Sequence, residues 1–439
     1  MKTVGIGIAG LGTVSQGVLN ILKVQQALLA KRSNARYEVV RVVSRTAKPD
    51  VDLLGAEFSH RLEDLYEDPQ VDVVMELIGG ESPADQLIAD ALAAGKAVIT
   101  ANKAVLAVKG DQLLGKQSVQ PIRFEAAVAG AIPILQAITA GLAGNAIHAV
   151  SGIINGTANY ILTAMEQDGV SFGEALAAAQ KLGYAEADPT FDVDGTDAAH
   201  KLTILMALAF DMSFALDQIY KEGIESLTAE DIAFAAEFGF RIKHIGMLRR
   251  VATGLEARVH PLLIPQSDLL AQVDGVQNAV QVSSDSAGTT LFSGPGAGGA
   301  ATASAVIADL VALTRGGLGT NPTSTAHNAA SSGMYVPLER ANDLAVLPID
   351  EVYGGYYLRM LVADQPGVIA KVAQALSNHG ISIDKVIQRP AAGRTEQVDL
   401  VLLTHDALER DVNLALTELH GMFEVSGEVS RIRVAPVNT

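Results

Sequence analysis

The fold is decided near the amino terminus by the stretch VGIGIAGLGTVSQG, residues 4–17. Its apolar first half predicts a buried strand, and the glycines that follow predict a tight turn into a helix. Gly10 permits the turn, and Gly12 lets the backbone approach a pyrophosphate that the free N–H groups of the helix can bind. Ser15 stands where a third glycine is usual. The stretch predicts dinucleotide binding, with a tight turn that binds no ligand as the alternative.

Short β-branched runs alternate with Ala- and Leu-rich helical patterns as far as about residue 130. This alternation requires right-handed crossovers and predicts a doubly wound parallel α/β sheet. The expected strands are Val4–Ala9, Glu38–Ser44, Val71–Ile78, Ala97–Thr100 and Ile122–Ala126, and the expected helices are Val14–Ala30, Asp85–Ala94 and Ala104–Lys116. We expect residues 1–131 to form a Rossmann-like NAD(P)-binding domain, completed by residues 300–325.

The rest of the chain divides into three parts. Residues 132–299 hold long helical patterns and some strand-like runs, which predicts an α+β substrate-binding and dimerisation domain. The helices expected there are Thr157–Gln167, Phe172–Leu182, Asp197–Phe210 and Ala229–Phe240. The stretch Gly316–Ser332 is rich in Gly, Asn, Ser and Thr, which is typical of a linker or a mobile loop, and we expect a linker over residues 326–350. Residues 351–439 read as βαββαβ, which predicts a ferredoxin-like domain.

The composition excludes several classes of protein. The 439 residues include 32 Lys and Arg against 49 Asp and Glu, and the net charge of −17 disfavours nucleic acid and membrane surfaces as partners. Cysteine is absent from the sequence, which excludes disulfides, Cys-ligated metal centres and thiolate nucleophiles. No apolar run approaches the roughly 20 residues of a membrane span. We expect a cytoplasmic protein.

The end of the second strand indicates which dinucleotide is bound. A carboxylate there would bind the 2′-hydroxyl of NAD, but the sequence has Arg45, with Lys48 beyond it. A cation at this point favours the 2′-phosphate of NADP, although NAD remains possible. A solvated loop arginine is the alternative.

The densest chemical signal is GYAEADPTFDVDGTDAAHK, residues 183–201. It contains five carboxylates, those of Glu186, Asp188, Asp192, Asp194 and Asp197. Asp197 and Lys201 share one face of a predicted helix with apolar residues, so desolvation and the nearby charge would together tune Lys201 for proton transfer. A simple salt bridge at a helix start explains the spacing equally well. The register of a calcium-binding loop is missing.

A second lysine follows the fourth strand. Thr100-Ala101-Asn102-Lys103 lies at the carboxyl end of that strand, where open parallel sheets bind their ligands. Lys103 could reach the reacting end of a bound nicotinamide. A surface lysine that begins the next helix is at least as good an interpretation.

Together these features resemble a known family. The glycine-rich turn, residues 100–103, residues 183–201 and the βαββαβ module are similar to a homoserine dehydrogenase with a C-terminal ACT domain, over essentially the whole chain. The resemblance implies NAD(P)-dependent interconversion of L-homoserine and L-aspartate 4-semialdehyde, in threonine, methionine and isoleucine biosynthesis. It also implies a homo-oligomer, a dimer or a tetramer. A non-catalytic sensor of dinucleotide and amino acid is the competing hypothesis.

The resemblance also implies roles for single residues. Lys201 would be the catalytic acid/base, with Lys103 beside it and Asp197 orienting it. Substrate would be bound by Glu186, Asp192 and Asp197. The cofactor would be bound by Gly10, Leu11, Gly12, Thr13, Val14, Arg45, Lys103, Gly183 and Gly299. A structural sodium ion would be held by Glu125 and the backbone of Val128, Gly130 and Ile132.

The C-terminal module carries a candidate effector site. Asp364-Gln365-Pro366-Gly367 joins its first strand to its first helix, and Gly367 lets the backbone approach a small ligand. ACT domains resemble this arrangement and commonly bind amino acids between paired modules, so threonine is the expected effector, at Asp364 and Gly367. A dimerisation module without a ligand is the alternative.

Overall fold

Strands and helices alternate from the amino terminus, as the sequence predicts. The computed structural model describes residues 1–114, 121–316, 318, 344–391 and 396–436. The first elements are β1 (Lys2–Ala9), α1 (Thr13–Val24), α2 (Gln26–Ser33), β2 (Ala35–Val43), β3 (Glu57–Ser59), α3 (Asp64–Glu67), β4 (Val73–Glu76), α4 (Ala84–Ala93), β5 (Ala97–Thr100), α5 (Lys103–Leu113), β6 (Ile122–Arg123) and α6 (Ile134–Gln136).

Strands β1 to β6 form one sheet in the order β3-β2-β1-β4-β5-β6. Every neighbouring pair in it is parallel. The chain builds outward in one direction from β1 and then in the other from β4, so the carboxyl ends of β1 and β4 flank the point where a ligand binds in such sheets. The doubly wound parallel sheet is confirmed.

This region differs from the sequence-based expectation at several points, and one of them is the strand expected over Ile122–Ala126, which ends at Arg123 before a 3-10 helix at Glu125–Ala127. Two further differences concern a helix and a strand. The single helix expected over Val14–Ala30 is two helices, because Gln25 leaves the helical conformation at φ −104° and ψ 15°. The break lets Leu29 of α2 reach the same hydrophobic core as Leu22 of α1. The second difference is β3, a short strand that was not expected and that pairs with β2.

The later elements alternate less regularly. They are β7 (Ile147–Ile153), α7 (Gly156–Asp168), α8 (Phe172–Lys181), α9 (Thr190–Val193), α10 (Thr196–Ala209), β8 (Tyr220–Lys221), α11 (Ala229–Glu237), β9 (Phe240–Val251), β10 (Gly254–Pro265), β11 (Gln277–Ser284), β12 (Gly288–Pro295), α12 (Gly299–Arg315), β13 (Tyr353–Gly354), β14 (Tyr356–Ala363), α13 (Val368–Asn378), β15 (Ile383–Pro390), β16 (Gln397–Thr404), β17 (Ala407–Leu408), α14 (Glu409–His420) and β18 (Val425–Val434).

The chain divides into two units. Unit 1 comprises Met1–Val150, His200–Asp217 and Asn278–Leu344, and unit 2 comprises Ser151–Ala199, Gln218–Gln277 and Ala345–Thr439. In unit 1, α12 packs on the core of the parallel sheet through Ala303, Val306 and Leu310. The linker expected over residues 326–350 lies outside the described residues as far as residue 343. Among the described residues, no helix has the length and apolarity needed to cross a membrane.

The C-terminal module has the expected ferredoxin-like order. Its strands lie in the order β18-β14-β16-β15, with β14 antiparallel to both neighbours. In unit 2 the same sheet continues from β18 to β10 and β9. The helix expected to reach Phe240 ends at Glu237, because Gly239 turns the chain at φ +88° and β9 begins at Phe240. Since β9 is largely buried, its sequence lacks the alternation that marks a half-exposed strand.

The module shares its core with the rest of unit 2. One hydrophobic cluster contains Ile161 and Leu162 of α7 together with Tyr357 and Ile432 of the module. The module therefore contributes to the stability of unit 2 as well as to its own.

A buried ion network joins the same parts. Arg433 of β18 is 3% exposed, and its Nε donates to Oε2 of Glu409 at 2.8 Å. Its Nη1 donates to Oε2 of Glu222 at 2.8 Å. Burial raises the pKa of Glu409, but the hydrogen bonds and charge of Arg433 outweigh it and the net shift is downward. The Glu409 carboxylate is therefore held in its ionised form.

Candidate active site

The turn after β1 needs glycine at position 10 and leaves space at position 12. Gly10 has φ +90°, and a Cβ there would lie 2.7 Å from the carbonyl oxygen of Leu77. Its N–H donates to the carbonyl oxygen of Val43 at 2.7 Å. Gly12 begins α1 in an extended conformation, and a Cβ there would meet no described atom within 4 Å. Gly10 is thus fixed by the fold, whereas Gly12 faces room for a ligand.

Two helix amino termini converge beside this turn. A Cβ on Gly17 of α1 would lie 2.6 Å from the carbonyl oxygen of Gly299, and a Cβ on Gly299 would lie 2.7 Å from that of Thr13. Neither α1 nor α12 has an acidic residue in its first turn or a side chain that caps its amino terminus. The positive ends of two helix dipoles therefore lie together, an arrangement suited to a pyrophosphate.

Gly17 permits the close helix packing that the third glycine of such a turn usually permits, here between α1 and α12. Ser15, at the usual position, is fully buried, and its hydroxyl has no hydrogen-bond partner among the described atoms. Sequence reasoning missed Gly17 because the close approach of α1 to α12 joins segments nearly 300 residues apart. The sequence alone gives no signal for that contact.

A buried carboxylate organises the ends of β4 and β5. Glu76 is fully buried; its Oε1 accepts a hydrogen bond from the N–H of Ile78 at 2.8 Å, and its Oε2 accepts one from the hydroxyl of Thr100 at 2.5 Å. Asn102 then caps α5 by accepting from the N–H of Val105 at 3.2 Å. Lys103 is consequently the first residue of α5, at the carboxyl edge of the sheet.

Arg45 lies at the same edge, just beyond β2. The preceding Ser44 is fixed, because its N–H donates to the carbonyl oxygen of Ser59 at 3.2 Å and its own carbonyl oxygen lies 2.9 Å from Nδ1 of His60. The side chain of Arg45 itself is exposed. The backbone is therefore anchored while the guanidinium remains accessible to a phosphate.

In unit 2, one amide joins two of the five carboxylates. Asn155 follows β7 and caps α7, with Oδ1 accepting from the N–H of Ala158 at 2.7 Å. Its Nδ2 donates to Oδ1 of Asp192 at 2.7 Å and to Oδ2 of Asp197 at 2.8 Å. Sequence reasoning missed Asn155, although an asparagine between a strand and a Gly-Thr helix start is itself a cap signal.

Two of the remaining carboxylates have local structural partners. Asp188 accepts from the hydroxyl of Thr190 at 2.7 Å, and this bond lowers its pKa. Asp194 contacts Nζ of Lys221 at 2.6 Å. Burial raises the pKa of Asp194, but bonds to Lys221 and Thr196 outweigh it and the net shift is downward. Of the five carboxylates, Asp188 and Asp194 thus stabilise turns, Asp192 and Asp197 form the pair held by Asn155, and Glu186 is the fifth.

Glu186 and Gly183 lie in the exposed turn after α8. Gly183 has φ +75°, which favours glycine. The carbonyl oxygen of Glu186 accepts from Nε2 of Gln180 at 3.1 Å, so its backbone is tied to α8 while its side chain is exposed. Tyr184, between them, packs edge-on against Tyr160 with ring centroids 5.1 Å apart.

Asp197 and Lys201 both lie on α10, one turn apart, as the sequence predicts. Asp197 is 5% exposed, and Lys201 is half-buried.

The loop expected to bind sodium is built around Glu125. Its carboxylate is 2% exposed and accepts from the N–H groups of Leu135 and Gln136, both at 2.9 Å. Ala129 and Gly130 follow with φ +55° and +57°, a left-handed pair that turns the loop. No group of three or more His, Asp or Glu side chains suited to a metal occurs in the described part of the chain. A cation here would depend on backbone oxygens together with Glu125.

The two residues expected to bind an effector, Asp364 and Gly367, precede the first helix of the C-terminal module. Gly367 caps α13 at φ +91° with open space around its Cβ position. Asp364 is exposed, and its N–H donates to the carbonyl oxygen of Glu396 at 2.9 Å. The turn has room for a small ligand at Gly367.

Comparison with known proteins agrees with these features. Family models match residues 133–311 (Homoserine dehydrogenase), residues 10–125 (Homoserine dehydrogenase, NAD binding domain) and residues 356–423 (ACT domain). The homoserine dehydrogenase of Pseudomonas aeruginosa is 44% identical over 440 residues, with 100% of each chain covered.

Solved structures agree as well. The crystal structure of a homoserine dehydrogenase from Thiobacillus denitrificans is 43% identical, with a TM-score of 0.93 and 99% of each chain covered. A hyperthermophilic archaeal homoserine dehydrogenase in complex with NADPH is 25% identical, with a TM-score of 0.59, and covers 70% of this chain and 97% of its own. These matches confirm the expected NAD(P)-dependent oxidoreductase and its C-terminal ACT domain. The chain belongs to the homoserine dehydrogenase family and carries a C-terminal ACT domain.

Proposed function

We propose that the chain reduces L-aspartate 4-semialdehyde to L-homoserine with NADPH, and catalyses the reverse reaction, using Lys201 as the acid/base. The observation that carries this proposal is the position of Asp197, a buried carboxylate held by Asn155, one helical turn before Lys201 on α10. Residues 1–131 with 300–325 would bind the dinucleotide, 132–299 the substrate and a second copy of the chain, and 351–439 the effector.

The chemistry assigned to the lysines is proton transfer and charge stabilisation. NADPH, when bound, supplies a hydride to the aldehyde carbon, and the carbonyl oxygen then gains negative charge. The ammonium of Lys201 donates its proton to that oxygen, and Lys103 stabilises the developing charge. In the reverse direction, neutral Lys201 accepts the hydroxyl proton of homoserine. Glu186, Asp192 and Asp197 bind the substrate, with the Glu186 carboxylate on its ammonium group.

The cofactor would be held at the carboxyl edge of the parallel sheet. The turn from Gly10 through Leu11 to Val14 and the start of α12 at Gly299 present two helix amino termini to the pyrophosphate. The exposed guanidinium of Arg45 suits a 2′-phosphate, which favours NADP over NAD. Lys103 and Gly183 complete the proposed set.

A sodium ion would have a structural role. We infer that it binds Glu125 and the carbonyl oxygens of Val128, Gly130 and Ile132. The buried carboxylate of Glu125 and the left-handed turn that follows it at Ala129 and Gly130 support this inference. No proton-transfer step depends on this ion.

Threonine is the proposed effector, bound near Asp364 and Gly367 between modules of a homo-oligomer. The open turn at Gly367 supports the position. The shared core of unit 2 supports a route for regulation, since the module and α7 pack in one cluster.

The absence of cysteine narrows the reaction on the aldehyde. An enzyme that oxidises aspartate semialdehyde through an acyl intermediate needs a thiolate nucleophile, and the sequence has none. Reduction of the aldehyde to an alcohol remains as the reaction, and lysines can act as its acid and base.

The test is turnover of aspartate semialdehyde by the purified full chain, followed by loss of nicotinamide absorbance with NADPH and with NADH. We expect turnover with both cofactors and a higher kcat/KM with NADPH. Threonine should inhibit the same reaction. A chain that oxidises neither cofactor would refute the proposed reaction, and a higher kcat/KM with NADH would refute the role of Arg45.

A further inference from the structure

We propose that Asn155 is a positioning residue for the reaction, because its single amide group holds the Asp192 and Asp197 carboxylates together. The inference rests on the proposed function, in which both carboxylates bind substrate. Asn155 would act through them and need not contact the substrate itself.

The orientation of the amide follows from its partners. Oδ1 accepts from the N–H of Ala158 at 2.7 Å, so the nitrogen must face the carboxylates. Nδ2 has two hydrogens, and it lies 2.7 Å from an oxygen of Asp192 and 2.8 Å from an oxygen of Asp197. All the hydrogen-bonding capacity of Nδ2 is therefore directed at two negative charges.

The two hydrogen bonds from Asn155 to Asp192 and Asp197 form a bridge that links three helices near their ends. Asn155 caps α7, Asp192 lies in the short helix α9, and Asp197 lies in the first turn of α10. Asn155 is 4% exposed and Asp197 is 5% exposed, so water competes little for these bonds. The amide thereby fixes the first turn of α10, the helix that carries Lys201.

The electrostatics require a donor at this point. Two carboxylates on one nitrogen repel each other, and like charges that share a site disfavour ionisation of one partner. An amide that donates to both offsets this repulsion and keeps each oxygen in a defined direction. Without it, the two carboxylates would lose the donor that sets their separation and direction, and substrate binding would be disturbed.

Helix capping alone does not require asparagine. Serine and aspartate cap helices about as well as asparagine. Aspartate has the same shape but offers no N–H to Asp192 and Asp197, and serine offers at most one O–H. The two substitutions therefore separate the bridge from the cap.

The experiment compares Asn155→Asp and Asn155→Ser in the full chain, with Ser171→Ala as a control that removes the cap of α8 alone. We expect kcat/KM for aspartate semialdehyde to fall about 100-fold in Asn155→Asp and about 10-fold in Asn155→Ser, mainly through a higher KM. The KM for NADPH should stay near the wild-type value in both. The Tm should fall in both, and more in Asn155→Asp, because that variant adds a third carboxylate to a buried group. Ser171→Ala should lower the Tm without changing the KM for the aldehyde.

Asn155→Asp with a wild-type KM for the aldehyde would overturn the proposal, because capping would then be the whole role of Asn155. If Asn155→Asp does not fold, Asn155→Ser decides by the same comparison. A wild-type chain inert toward the aldehyde would refute the proposed function itself, whereas an active wild type with unaffected variants refutes only the role of Asn155.

Discussion

Replacing Gly12 with alanine should weaken cofactor binding and leave the stability of the fold nearly unchanged. The position is extended, at φ −78° and ψ −167°, and a Cβ there would meet no described atom within 4 Å. The folded chain can therefore accept the methyl group. A pyrophosphate bound to the backbone of the turn would occupy the same space as the methyl group, so the two could not both be accommodated.

The expected effects on the free energy of unfolding and on NADPH binding can be worked out separately. Alanine restricts the unfolded chain, which stabilises the fold by about 0.4–1 kcal/mol. It is also a poorer first-turn cap than glycine, which costs about 0.5–1 kcal/mol. These effects nearly cancel. In the complex, a methyl group forced into a packed contact costs about 1–3 kcal/mol, which corresponds to about a 5- to 150-fold weaker binding of NADPH.

The assay measures the dissociation constant for NADPH by nicotinamide fluorescence and the free energy of unfolding by urea. Gly173→Ala is the matched control, because Gly173 also has open space at its Cβ position and belongs to α8 of unit 2, which is not part of the turn. Gly17→Ala gives the opposite pattern: its Cβ would lie 2.6 Å from the carbonyl oxygen of Gly299, so the fold itself should be destabilised. Unchanged NADPH binding in Gly12→Ala would refute the placement of the pyrophosphate.

Three further predictions concern the cofactor, the buried ion network and the effector. Arg45→Ala should raise the KM for NADPH about 10- to 100-fold and leave the KM for NADH nearly unchanged, because only NADPH carries the 2′-phosphate; equal effects on both would contradict this. Arg433→Met should lower the free energy of unfolding by about 3–5 kcal/mol, since Glu409 and Glu222 lose a buried partner. Burial raises the pKa of Glu409, but Arg433 outweighs it and the pKa lies below the ordinary value of 4.5. This stabilisation is therefore complete above about pH 4.5 and is lost as the pH falls through the lower pKa of the folded state. Glu409→Gln should make the free energy of unfolding, measured by urea at each pH, depend less on pH. Asp364→Ala should raise the threonine concentration for half-inhibition about tenfold, and an unchanged value would place the effector elsewhere.

The parallel sheet and the C-terminal module could be predicted because their signals are local. β1 and the turn after it occupy one short stretch, and the order of strands and helices in the module is visible in the hydrophobic pattern. β9 could not be recognised in the same way. It is buried through most of its length and includes Lys243, which is fully buried and paired with Asp274.

Residues of the candidate site could be predicted together where they lie on the same helix. Residues that lie on different helices or strands could not. Asp197 and Lys201 are four residues apart on α10, so helical periodicity places them on one face. Asn155 precedes Asp192 by 37 residues, and no periodic pattern links a strand end to a later short helix. Gly17 and Gly299 are farther apart still, and only the packing of α1 on α12 relates them.

The most direct test of the central claim is the turnover of Lys201→Ala with aspartate semialdehyde and NADPH. Lys31→Ala, which removes an exposed lysine of α2, is the control. Loss of a positioned general acid should lower kcat about 10²- to 10⁴-fold, with the dissociation constant for NADPH and the Tm near wild-type values. Near-normal kcat in Lys201→Ala would contradict the assignment of Lys201 as the acid/base.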